Sequence, residues 1–208
     1  MRLPTAAQVG AVLEAADPAL RPFVALCAFA GLRLGEAAAL QVGDVDFLRR
    51  TLVVARQVQR AGRDQVEVRP PKYGSERTVF LAPGLVDLLA AHVASHCPDG
   101  SWLFRGSGTE PPHQNTVGHR WRRTTSAAGL AGLRLHDLRH FYASGLIASG
   151  CDVVTVQRAL DTPRRPPRCR PTRTCARAPR TARGPQRRLA RRIVWTGCGL
   201  KTYCRPLT

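Results

Sequence analysis

The strongest constraint on how this chain can fold is a change of composition after Leu160. Of its 32 Lys+Arg residues, 14 fall in residues 161–208, against one acid, Asp161. That stretch carries +13 of the +18 net charge; residues 1–160, with 18 Lys+Arg and 13 Asp+Glu, carry +5. It also holds seven prolines and four of the seven cysteines, Cys169, Cys175, Cys198 and Cys204. Its apolar residues follow no regular period, so it has little to bury against the entropy of ordering a chain. The expected organisation is one folded domain at 1–160 and an Arg/Pro-rich tail at 161–208, expected to be disordered.

The first 160 residues read as helices around a small sheet. Thr5 and Gln8 have capping-box spacing, with Val9, Val12 and Leu13 at helical intervals after them. Asp17-Pro18 restarts the chain as cap and first helical residue, and Leu20, Phe23, Val24 and Cys27 supply a buried face that runs out near Gly31. After Gly43-Asp44 the pattern turns to β. Strands are expected at 51–58, 65–68 and 77–81, forming a three-stranded antiparallel sheet with Lys72 on the loop before the last strand. Further helices are expected at 83–94, 114–128, 135–146 and 152–160. The fold class is thus α+β, mainly α-helical.

Several residues invite a chemical reading. In LHDLRHFYASGL (residues 135–146), His136 and Arg139 stand three apart and share a helix face. An imidazole beside a planar guanidinium suits a phosphodiester. Arg33, in GLRLGE, lies at a junction among small and apolar neighbours. A largely buried Arg needs a partner, and Glu36 can brace it, in a structural ion pair or in a site. Arg120, Arg122 and Arg123 give one helix a basic side, either facing phosphate or merely wet. The net charge points to a polyanion, nucleic acid first. The chain has no apolar run of about 18 residues to span a membrane, and no secretory signal is evident. No C-x-x-C pair marks a zinc site, and Cys27, Cys97 and Cys151 read as packed, reduced thiols.

Together these segments resemble the catalytic domain of the tyrosine recombinases, or phage integrases, over about residues 3–160. GLRLGE resembles the first-arginine motif, PPKYGSERTVFL the β-hairpin lysine motif, and LHDLRHFYASGLIASG the second-arginine motif, in the family's order. The resemblance implies Arg33, Lys72, His136 and Arg139 as catalytic residues and Glu36 as support, acting on double-stranded DNA without cofactor or metal, as a homo-oligomer on that DNA. The implied reaction is cleavage and rejoining through a 3′-phosphotyrosine. The arginines would stabilise phosphoryl charge, His136 would assist, and Lys72 would protonate the departing 5′-oxygen. The implied place is the bacterial cytoplasm, at the nucleoid.

The match departs from the family at both ends. The family's N-terminal DNA-clamp domain is not expected here. After Leu160 the family has a Gly-His-Ser-like turn and then its nucleophilic tyrosine; this chain reads DTPRRPPRCRPTRTCARAP. Tyr73, Tyr142 and Tyr203 all lie elsewhere. The genetic code offers a reason. Asp161-Thr162-Pro163 can be written GAC-ACT-CCT, which with a restored leading G reads GGA-CAC-TCC, Gly-His-Ser. Continued to Cys175, allowed codons give Ser-Ala-Thr-Thr-Thr-Leu-Pro-Thr-Tyr-Thr-His-Leu. The tail is therefore expected to be an out-of-frame translation; the alternative is a true basic arm that binds DNA phosphates. The function expected is a site-specific recombinase domain, inactive in this form for want of its nucleophile. The alternatives are a non-catalytic DNA-binding module and a pseudogene remnant.

Overall fold

The computed structural model describes residues 3–61, 65–71, 76–97, 101–106 and 108–160, and the backbone of 193–196 and 199–202. Its centre is an apolar helix, α2 (Arg21–Phe29), whose residues from Pro22 to Ala28 are all buried. Around it pack α1 (Ala6–Ala15), α3 (Leu34–Ala38), α4 (Pro83–His96) and α6 (Leu135–Ala148). The Thr5–Gln8 capping box starts α1 as the spacing predicts. α2 begins later than expected. The Asp17 carboxylate accepts the Leu20 N–H at 2.9 Å and closes a turn, so Pro22 and not Pro18 sits in the helix's first residues. Arg21 then reaches back, donating from Nε to the Leu13 carbonyl at 2.9 Å, and so satisfies the end of α1.

A short turn (Val42–Asp44) leads into β1 (Val45–Asp46), followed by β2 (Thr51–Val54), β3 (Gln57–Arg60), β4 (Val66–Arg69) and β5 (Arg77–Phe80). The antiparallel three-stranded sheet exists, but its order is β1-β2-β5, and β3-β4 form a separate antiparallel pair. The single strand expected over 51–58 is broken at Ala55-Arg56. There the Arg56 guanidinium turns away to pair with Asp44, and the chain leaves the first sheet. Leu52 and Val54 of β2 and Val79 of β5 point to the core, while Val53 and Phe80 point out, as a period of two requires.

α5 (Gln114–Ala127) lays Val117 and Trp121 on the core, and the Trp121 indole donates to the Leu133 carbonyl at 2.8 Å. A second, smaller cluster of Tyr142, Leu146, Cys151 and Val156 joins α6 to α7 (Val153–Leu160). Cys27, Cys97 and Cys151 are buried. Within the tail, Ile193–Thr196 (β6) and Gly199–Thr202 (β7) pair as an antiparallel hairpin. The rest of the tail lies outside the described residues. Among the described residues no helix is long and apolar enough to cross a membrane.

Candidate phosphate-binding site

Glu36 organises the site. It lies in the first turn of α3, is 1% exposed, and its carboxylate meets three guanidiniums from three parts of the chain. Arg33, the residue before α3, places Nη1 2.6 Å from Oε1, and its own backbone N–H donates to Oε2 at 2.9 Å. Arg77, the first residue of β5, donates from Nη2 to Oε2 at 2.7 Å and from Nη1 to Oε1 at 3.3 Å. Arg139 on α6 comes within 3.9 Å of Oε2. These four side chains carry net positive charge.

Their exposures separate their tasks. The Arg33 side chain is 36% exposed, whereas those of Arg77 and Arg139 are 8% and 7% exposed. The Arg139 guanidinium donates to the carbonyls of Gly31 and Leu160, and so ties α6 to the segment after α2 and to the end of α7. Gly31 adopts φ +65°, and a Cβ there would lie 2.4 Å from the Tyr142 ring. Only glycine permits both that conformation and that approach. Gly35 is similar in kind: a Cβ would meet the Val58 carbonyl at 2.7 Å, so α3 sits close against β3.

His136 is exposed at the start of α6, its ring edge-on to His140 with centroids 4.7 Å apart. Its pKa is lowered, first by desolvation and then by the positive charges of His140, Arg139 and Arg33, with Asp137 opposing. Burial alone would raise the Glu36 carboxyl, but the Arg77 guanidinium, then the Arg33 backbone and side chain, hold it at about 2. Its folded value is thus below its ordinary value near 4.5, so the carboxylate stabilises the fold above pH ~4.5 and that contribution is lost as pH falls toward 2. The loss is on the order of 3 kcal/mol. Denaturant melts from pH 6 to 2 should show it, and a Glu36→Gln chain should lack that part of the acid slope; equal slopes would contradict the assignment.

Of the sequence-predicted residues, Arg33, Glu36 and Arg139 are brought together, and His136 stands one turn before Arg139 at the exposed start of α6. Lys72 lies outside the described residues, as do Tyr73 and Tyr203. Tyr142 is 8% exposed, and burial, with a smaller contribution from Cys151, pushes its hydroxyl up to about 12 against the opposing charges of Arg77 and Arg139. It is a core residue of α6. Arg120 is tied to Asp17, Nη2 to Oδ1 at 2.6 Å, and so anchors α5 to the turn before α2. Arg122 and Arg123 are exposed. The sequence reading missed Arg77. Its signal was the alternation Arg77, Val79, Leu81, which puts an arginine on the buried face of a strand. Among the described residues no group of three His, Cys, Asp or Glu could hold a metal ion.

The chain matches the model of the phage integrase family over residues 4–161 and belongs to that family. It is 30% identical over 154 residues to a putative integrase/recombinase, y4qK, of Sinorhizobium fredii, covering 73% of this chain and 44% of that one. It is 25% identical over 164 residues to the putative prophage phiRv2 integrase of Mycobacterium tuberculosis, covering 77% of this chain and 44% of the relative. The chain thus spans about half the length of the curated relatives it matches. Its fold is similar to that of the Tn1549 transposon integrase, solved in complex with a circular intermediate DNA (TM-score 0.69, 18% identity, 77% of this chain and 58% of that one). It is also similar to XerA recombinase (TM-score 0.64, 23% identity, 78% and 56%).

Proposed function

We propose that the domain at residues 1–160 grips a phosphodiester of double-stranded DNA at the spot shared by Arg33, His136 and Arg139, as the catalytic domain of a site-specific recombinase. The observation that carries this reading is the cluster itself: three guanidiniums around one buried carboxylate, with the exposed His136 imidazole one turn before Arg139 on α6. Arg33 is the accessible cation of the cluster and Arg139 supports it from behind; both stabilise the negative charge that grows on the phosphoryl oxygens. His136, its pKa lowered, is neutral at pH 7 and suited to proton transfer. Lys72 is assigned, from the motif match, to protonate the departing 5′-oxygen. Arg122 and Arg123 contact phosphates farther along the duplex, and several copies act together on DNA at the nucleoid of a bacterial cytoplasm.

In the family's reaction a tyrosine hydroxyl attacks phosphorus, forms a 3′-phosphotyrosine and releases a 5′-hydroxyl. In this form the chain lacks that step, because no tyrosine stands in residues 161–175 where the motif calls for one. The family match itself ends at residue 161, at the composition break. A lost base after codon 160 accounts for both, and the nucleotide sequence across that codon tests it: no single-base insertion there reopening a Gly-His-Ser frame would refute the shift.

A nicked suicide duplex separates the readings. The expected result is salt-sensitive binding with no covalent protein–DNA adduct, and an Arg33→Ala chain whose log K against log salt slope is shallower by about one. An adduct would overturn the claim of inactivity. Binding unchanged by Arg33→Ala would overturn the site.

A further inference from the structure

We propose that Arg77 is a positioning residue for the phosphate site, acting through Glu36 to hold Arg33 in place. The inference rests on the reading that Arg33 grips DNA phosphate, and extends it to a residue on a different element. Arg77 opens β5, opposite Val54 of β2, 41 residues along the chain from Glu36. It engages the carboxylate with both terminal nitrogens, at 2.7 and 3.3 Å, in the two-pronged geometry that only a guanidinium supplies. It shares Oε1 with the Arg33 side chain and Oε2 with the Arg33 backbone N–H. Glu36 is therefore a bridge: one end fixes Arg33 and the other fixes the sheet.

Arg77 itself does not reach the DNA. Its side chain is 8% exposed, and its Nε is buried with no partner. An arginine left so dry, with one donor unsatisfied, is costly unless its fork makes a strong pair. The groups facing Glu36 are Arg33 beside it, Cys27 from α2, Arg77 from β5 and Arg139 from α6. Cys27 stays a neutral thiol, since burial first and then the Glu36 charge raise its pKa. Removing Arg77 leaves the carboxylate with Arg33 and the more distant Arg139 against the full effect of burial. Glu36 then takes up a proton at a much higher pH and releases Arg33.

The test measures binding of the full chain to a short duplex of mixed sequence as salt and pH vary, for the wild type, Arg33→Ala, Arg77→Met and Arg77→Lys. In the wild type, binding tightens as pH falls from 8 to 5.5, as His136 moves toward its charged form. In Arg77→Met the trend reverses, and at 0.1 M salt and pH 5.5 the affinity falls by roughly eightfold, the loss of one phosphate contact. Arg77→Lys keeps the charge without the fork and gives an intermediate loss with a shallower pH dependence. A lost contact that merely loosened the fold would lower the melting temperature and leave the pH trend intact. If Arg33→Ala weakens binding while both Arg77 variants keep the wild-type pH trend, Arg77 has no positioning role. If Arg33→Ala itself changes nothing, the phosphate-site reading fails first. If Arg77→Met does not melt cooperatively, Arg77→Lys alone decides, and wild-type behaviour there overturns the inference.

Discussion

Replacing Glu36 by alanine is expected to cost about 3–5 kcal/mol of stability, the largest effect of any single substitution in the site. One carboxylate contacts Arg33, Arg77 and Arg139 together. Alanine would take that carboxylate away from two guanidiniums that are each less than a tenth exposed. It would also withdraw the acceptor of the Arg33 backbone N–H and so uncap α3. For a domain of this size the melting temperature should fall by roughly 10 °C. Wild-type stability in Glu36→Ala, by thermal melt and by urea, would mean that the cluster does not hold the fold together.

Gly31→Ala should be the second large effect. The new Cβ costs about 1–2 kcal/mol for the left-handed backbone at φ +65°. It adds about 1–3 kcal/mol for overpacking, because the Tyr142 ring stands 2.4 Å away and Leu160 3.2 Å away. The substitution also moves a carbonyl that receives Arg139, so it disturbs the site as well as the core. Trimming the ring separates the two costs. Gly31→Ala combined with Tyr142→Ala should be less destabilised than the sum of the single variants, because the clash is counted once. Strict additivity would show that Tyr142 does not limit this position.

Much of this was legible from local chemistry. Helix positions followed from capping residues and apolar spacing: Thr5 and Gln8 at α1, Trp121 and Val117 on α5. The pairing of Arg33 with Glu36 is a consequence of a separation of three across a helix start. What the sequence hid was non-local. No spacing rule says that Arg56 will leave the strand for Asp44, so one expected strand became two in different sheets. None says that Arg120 will find Asp17 across 103 residues. Arg77 lay between these cases. Its place on the buried side of β5 could be read from the alternation with Val79 and Leu81, but its partner could not.

The central claim is that Arg33, His136 and Arg139 serve one phosphate. A structure of the chain bound to duplex DNA tests it most directly. The expected result is a single phosphodiester group with its non-bridging oxygens within hydrogen-bonding distance of the Arg33 guanidinium and the His136 imidazole, and with Arg139 next to it. A duplex seated on another face, with no phosphate at that spot, would contradict it.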